Sequence, residues 1–179
     1  YIMLFTPIVY QNIISGIIAP HGMTDLFHSQ QYNKTKELLL MNAGITITSF
    51  ILNNNDLSPI LDSSFFLSSI VHFRHDMPNI KMIPRYFLST SLILLSLQQP
   101  DLFFLYMIAL HVPNHYKNNW KYIEYDKDKN IGILFLFTVI FLYITNQYND
   151  LIDVNFISTL SKSGIISHIV YEETSIHKD

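Results

Sequence analysis

The sequence predicts an all-α fold, a polytopic transmembrane bundle of about seven helices. Three observations predict it: a composition poor in charge, apolar segments that recur along the chain, and basic residues confined to alternate connections. At 179 residues the chain is expected to form a single integral membrane domain, residues 1–179. It begins with Tyr1 and has no basic residues before its first apolar run, so we expect the first helix to be truncated at the N-terminus.

The composition limits both the environment and the chemistry. The chain is 49% hydrophobic and 14% charged, whereas soluble domains carry about 25% charged residues. A net charge of −3 and a pI near 6.2 argue against a nucleic-acid partner, which requires a basic face. Because the chain has no cysteine, disulfides, thiolate metal sites and cysteine nucleophiles are excluded. Any metal must therefore be bound by nitrogen and oxygen ligands.

Apolar segments separated by short polar stretches predict the helices. They cover residues 2–19, 38–52, 57–73, 86–99, 102–116, 131–146 and 151–170. The sixth is the clearest, because 130–149 contains no charged residue and is long enough to cross a bilayer core of about 30 Å. The third and seventh segments contain Asp62, Asp153 and Lys162. A soluble bundle with fully buried helices is the alternative.

The distribution of basic residues favours the membrane interpretation. Lys and Arg occur in the connections after the first, third and fifth segments and are absent around 53–56, 98–101 and 146–150. This alternation is typical of the positive-inside rule. The basic residues of these connections are Lys34, Lys36, Arg74, Lys81, Arg85, Lys117, Lys121, Lys127 and Lys129. We therefore expect a multi-pass protein whose basic loops are cytoplasmic and whose N-terminus lies outside.

All eight histidines lie at the side of the predicted basic loops. His21 and His28 follow the first segment, His72 and His75 end the third, His111 and His115 end the fifth, His168 ends the seventh, and His177 is in the tail. Ionisable groups near a bilayer are costly and tend to be functional, so we predict a metal site near the cytoplasmic side. His28 and His177 are interpreted as ordinary interfacial or hydrogen-bonded residues rather than ligands.

A spacing of four residues recurs at these histidines. The pairs are His21 with Asp25, His72 with Asp76, His111 with His115, and His168 with Glu172. Residues four apart share a helix face, and a metal-binding imidazole usually needs a carboxylate or carbonyl at its other ring nitrogen. Each pair can therefore supply a ligand and the group that orients it, or two ligands. Pro20 and Pro113 are expected to kink their helices, which can aim the imidazoles inward.

Four motifs resemble the Brp/Blh family of membrane β-carotene dioxygenases. Residues 20–25, Pro-His-Gly-Met-Thr-Asp, are similar to its Pro-His-Gly-Ala-x-Asp motif, and 69–73, followed by Asp76, are similar to its second motif. Residues 111–115 resemble its His-x-x-x-His pair, and 164–168 its last motif. The order is preserved over about 16–173. Arg74 replaces the family's Gly, Val112-Pro113-Asn114 replaces its Ser and Arg, and Ser167 replaces its Pro.

The resemblance implies a carotenoid-cleaving dioxygenase. It implies Fe(II)-dependent cleavage of the central double bond of β-carotene with O2 into two retinal molecules, with possible downstream supply of retinal to a rhodopsin. As a hypothesis, His21, His72, His111 and His115 are the metal ligands and catalytic residues. Asp25 and Asp76 orient imidazoles, and His168 is a further ligand or orienting group. Which carotenoid is cleaved, the oligomeric state and a metal role for His75 stay open.

Three alternatives remain. A membrane di-iron desaturase or hydroxylase fits the spacings at His72/His75 and His111/His115, although consecutive histidine pairs are absent. A zinc-dependent membrane lipid hydrolase would use a zinc-bound water as nucleophile. A non-enzymatic metal or carotenoid carrier would bind its ligand without turnover. One iron per chain favours the dioxygenase, two irons favour the desaturase, and zinc favours the hydrolase.

Overall fold

The computed structural model describes residue 9 and residues 12–147 and 154–176. Helices account for nearly all of these residues and no strand occurs among them, so the all-α prediction is confirmed. In chain order the elements are π1 (Ile14–Ile18), α1 (Ala19–His21), α2 (Met23–Gln31), α3 (Thr35–Asn54), α4 (Ser58–Phe73), a 3-10 turn (Arg74–Asp76), α5 (Met82–Gln98), α6 (Pro100–Tyr106), π2 (Met107–His111), α7 (Val112–Glu124), α8 (Lys127–Gln147), α9 (Val154–Tyr171) and π3 (Glu172–Ile176).

Where the structure describes them, the predicted apolar segments are largely helical, and the helices often extend beyond them. The segment 131–146 lies within α8, and 38–52 lies within α3. The helices also take in charged residues, so that Lys36, Arg85 and Lys117 lie on helices rather than in loops. Residues 2–8, 151–153 and the tail with His177 are outside the described residues. Among the residues that are described, no helix combines the length and the apolar character that a membrane crossing requires.

Local sequence explains where several helices begin. Asn33 and Asp56 adopt positive φ angles of 56° and 58° shortly before α3 and α4, a conformation that Asn and Asp tolerate better than most residues. Helices α4 and α6 each have a proline in the first turn. An N–H group in that turn has no intrahelical acceptor, so its absence in proline costs no hydrogen bond. These residues end one helix and start the next within a short connection.

Two π-helical stretches coincide with prolines inside a continuous helical run. Pro20 follows π1 and Pro113 follows π2, in each case two residues after the stretch ends. A proline in a helix cannot bond to the carbonyl four residues earlier and crowds it. Those carbonyls belong to Gly16 and Ala109, which lie within π1 and π2. Because a π-helical turn is wider, it accommodates the proline without ending the helix.

The chain divides into two compact units. The first unit contains residues 1–31 and 94–151, and the second contains 32–93 and 152–179. In the first unit, α7 packs against α2, π2 and α8, while α1 and π1 pack against α8. In the second unit, α9 packs against both α3 and α4, which also contact each other. The single-domain organisation expected from chain length stays a prediction.

Small polar side chains form the contact between α9 and α3 in the second unit. Ser163 and Ser167 are fully buried and lie one turn apart on α9. Ser167 donates a hydrogen bond to the side-chain oxygen of Asn42, and Thr46 donates to Ser163 at 3.4 Å. Small side chains allow two helix backbones to approach closely, and their hydroxyls bond across the contact. This contact fixes the helix α9, whose C-terminal end carries His168.

Candidate metal centre

Two histidines and a glutamate converge in the second unit. His72 lies in the last turn of α4, His168 lies in the last turn of α9, and Glu172 begins π3 directly after α9. His72 Nδ1 lies 3.2 Å from Glu172 Oε2, and His168 Nε2 lies 3.8 Å from the same oxygen. The two imidazole rings are in edge contact, with centroids 5.3 Å apart. We refer to these three residues as the His–Glu group.

The His–Glu group is shielded from solvent. The side chains of His72, His168 and Glu172 are 5%, 10% and 2% exposed. Burying a carboxylate is costly unless a cation or hydrogen-bond donors compensate it. One ligand atom from each residue lies within 4.8 Å of the others. A donor set of two nitrogens and one oxygen could hold a metal ion.

Three further histidines converge in the first unit. His21 follows π1 in α1, His111 ends π2, and His115 lies one turn later in α7. The His21 ring is 5.5 Å from the His111 ring and 4.8 Å from the His115 ring, measured between centroids. His111 and His115 are 6.0 Å apart by the same measure. We refer to His21, His111 and His115 as the three-histidine group.

Hydrogen bonds orient the imidazoles of the three-histidine group. His21 Nδ1 contacts the backbone carbonyl of Ile18. A carbonyl only accepts, so this contact puts a proton on Nδ1; in the neutral ring the lone pair is then on Nε2, the form that a metal ligand needs. The Asn119 amide lies 3.2 Å from His115 Nδ1 and is itself buried. An amide can donate or accept according to its orientation, so it can orient this ring in either neutral form.

Each of the three π-helical stretches adjoins a residue of these groups. His21 follows π1 after two residues, His111 is the last residue of π2, and Glu172 is the first residue of π3. Such stretches occur frequently at functional sites. Near Pro20 and Pro113, where the sequence predicts kinks, the structure has π-helical stretches. His21 and His111 adjoin these stretches and belong to the same group, although they lie in different segments of the chain.

The structure places the other predicted site residues as follows. Asp25 is buried on α2, and Asp76 is in the 3-10 turn, beyond the end of α4. The carboxylate 3.2 Å from His72 is that of Glu172. His75 contacts Glu173, with Nε2 2.8 Å from Oε1, and His28 is buried with its ring 4.8 Å from that of Tyr122. The orienting roles assigned to Asp25 and Asp76 stay predictions.

Glu172 has a place at the site that the sequence analysis did not assign to it. Its spacing of four from His168 was a usable signal, and it is the same signal that singled out the other pairs. That spacing gave no reason to prefer Glu172 over Asp25 or Asp76. The preference comes from the contact between α4 and α9, which brings His72 to the same carboxylate.

Comparisons with known proteins found no relative of this chain. No protein-family model, curated protein or solved structure matches the chain. The resemblance to the Brp/Blh family therefore rests on the motifs alone and stays a prediction. The fold and the two groups of buried histidines are observed in the structure and do not depend on this resemblance.

Proposed function

We propose that the protein is an Fe(II)-dependent membrane dioxygenase that cleaves the central double bond of β-carotene with O2 and releases two retinal molecules. The observation that carries the proposal is the His–Glu group. Two histidines and one carboxylate with open positions are the ligand set of non-haem Fe(II) oxygenases. The motif resemblance supplies the substrate, and the buried group supplies a place for the metal.

The spacing of the donor atoms fits a metal ion. Metal bonds to imidazole and carboxylate of about 2.0–2.2 Å place neighbouring ligand atoms about 2.8–3.6 Å apart. His72 Nδ1 and Glu172 Oε2 are 3.2 Å apart, and His168 Nε2 is 3.8 Å from that oxygen. Two of the three pairs of donor atoms are therefore at or close to this spacing.

The residues of the site have separable roles in this proposal. His72 and His168 offer neutral nitrogens, and Glu172 offers the negative charge that offsets part of the charge of a divalent cation in a buried site. Bound iron would supply the activation of O2. Burial of the three side chains excludes water, which protects reactive species from side reactions. The sequence hypothesis that His21, His72, His111 and His115 bind one iron stays a prediction.

The distribution of side chains supports a membrane location. Large apolar side chains point outward on three long helices, with Leu40 64%, Phe87 72% and Phe135 71% exposed. Small polar residues such as Ser163 are buried between helices. Lys162 and Asp62, which interrupt the apolar segments, form an ion pair between α9 and α4. Ionisable residues on membrane helices usually pair in this way.

A zinc-dependent lipid hydrolase is a second candidate, because two histidines and a glutamate are also a catalytic zinc set. The two candidates differ in their metal and in their requirement for O2. A di-iron enzyme differs in the number of irons per chain. Metal analysis of purified protein therefore separates the three before any substrate is tested.

Expression in β-carotene-producing bacteria tests the activity. We expect loss of orange colour, appearance of retinal in an aerated culture and none in an anaerobic one. The matched control is Asp62→Asn, which alters an ion pair between the same two helices at a distance from the His–Glu group. Unchanged β-carotene in cells that contain folded, iron-loaded protein would contradict the proposal.

A further inference from the structure

Consecutive glutamates at the start of π3 contact two histidines, one in the last turn of α4 and one in the 3-10 turn that follows it. Glu172 contacts His72, and Glu173 contacts His75. The two histidines are three residues apart, so they lie on neighbouring turns. The segment after α9 is thereby connected to the end of α4 at two successive points. Only the first of these connections belongs to the His–Glu group.

Both carboxylate oxygens of Glu173 are engaged. Oε1 lies 2.8 Å from His75 Nε2, and Oε2 accepts a hydrogen bond of 2.7 Å from an Arg74 Nη2 donor. His75 Nε2 also lies 3.2 Å from Arg74 Nε, and we assign its proton to the shorter contact with Glu173, because a carboxylate only accepts. A carboxylate bound through both oxygens has a defined orientation as well as a defined position. The Glu173 side chain is 18% exposed, so water screens this contact only in part.

Arg74 is itself held in place. Its second terminal nitrogen donates a hydrogen bond to the Tyr86 hydroxyl, and its guanidinium lies 5.4 Å from the centre of the Tyr86 ring. Tyr86 belongs to α5. The contacts of Glu173 therefore connect π3 to the 3-10 turn and to α5, all within the second unit.

We propose that Glu173 is a positioning residue that fixes π3 and so holds the Glu172 carboxylate at the metal. This inference rests on the proposed function only in taking Glu172 as a metal ligand. The two residues are adjacent, so a backbone fixed at Glu173 restricts where the Glu172 side chain can point. Preorganised ligands bind a metal more tightly because less conformational freedom is lost on binding.

Metal affinity in the absence of carotenoid tests the proposal. The probe is Co2+, titrated into purified metal-free protein and followed by its absorption spectrum. We expect Glu173→Gln, which removes the charge and keeps the shape, to weaken Co2+ binding about tenfold, the lower end of the effect of altering groups that orient ligands. The matched control Asp62→Asn removes an ion pair between α4 and α9 about ten residues from His72, and we expect it to leave Co2+ affinity within about twofold of the unchanged protein.

A second pair of variants covers the case in which Glu173→Gln does not fold. His75→Gln retains an N–H donor for Glu173, whereas His75→Leu does not. We expect the first to bind Co2+ more tightly than the second, at similar melting temperatures. Equal affinities in this pair, or an equal loss in Glu173→Gln and Asp62→Asn, would overturn the positioning role. Wild-type protein that binds Co2+ in this manner but leaves β-carotene intact would contradict the proposed function and not this inference.

Discussion

The two compact units each contain a group of buried histidines, and different polar side chains lie beside the two groups. In the second unit, Glu172 lies within 3.8 Å of both imidazoles. In the first unit, a neutral amide, Asn119, lies beside His115. A carboxylate offsets the charge of a bound cation, whereas an amide orients a ring without adding charge. We therefore expect Glu172 to offset part of the charge of any cation bound at the His–Glu group.

Removal of the carboxylate gives the largest expected effect. We expect Glu172→Gln to weaken metal binding by more than about a hundredfold, because loss of a charged ligand exceeds the effect of altering the groups around it. The measurement is the metal content of purified protein by mass spectrometry. Full metal content in this variant would show that the difference between the two groups has no bearing on metal binding.

Removal of single histidines from the first unit sharpens the comparison. If the sequence hypothesis of shared ligation holds, His21→Ala and His111→Ala each lower the iron content. We expect the loss to be smaller than in Glu172→Gln, because each change removes a neutral ligand. Full iron content in both variants would exclude the three-histidine group from the metal site.

The units also differ in how their helices are joined, which allows separate stability tests. In the first unit, the buried Asn130 amide donates to the carbonyls of Tyr122 and Ile123, at 3.1 and 3.2 Å, near the end of α7. We expect Asn130→Ala to lower the free energy of unfolding by about 1–3 kcal/mol, since it leaves buried acceptors unsatisfied. Thermal unfolding in detergent, followed by circular dichroism, measures this. An unchanged free energy of unfolding would mean that other donors bond to these carbonyls in the variant.

In the second unit, the close contact of α9 with α3 depends on small side chains. We expect Ser163→Leu to destabilise the protein by about 1–3 kcal/mol, because Ser163 is fully buried and a larger side chain overfills the contact. The neighbouring Gly164 is exposed, and a Cβ there would meet no atom within 4 Å. Gly164→Ala is therefore the matched control, with an expected gain of about 0.5–1 kcal/mol. Equal effects of the two changes would contradict this packing.

Much of the helical structure could be predicted from hydrophobicity, but not its limits. The apolar segment 57–73 corresponds closely to α4, Ser58–Phe73. The segment 102–116 does not end where its helical run ends, because that run continues to Glu124 through Lys117 and Lys121. Charged residues end an apolar segment, but they do not end a helix.

The candidate site could also be predicted only in part, because some of its contacts follow from local sequence and others from the packing of separate helices. His168 and Glu172, four residues apart, are close in space because α9 continues directly into the helical turns of π3. His72 and Asp76 do not lie on one α-helix, because α4 ends at Phe73 and a 3-10 turn follows, with a different rotation per residue. The meeting of His72 with Glu172 depends on packing between α4 and α9, which no local pattern contains.

The most direct test of the central claim compares iron and retinal in one experiment. The protein and its Glu172→Gln variant are expressed in aerated β-carotene-producing bacteria and then purified for iron analysis. The account predicts bound iron and retinal for the unchanged protein, and neither for the variant at equal amounts of folded protein. Retinal formation by an iron-free Glu172→Gln variant, or an iron-loaded unchanged protein that forms no retinal, would contradict it.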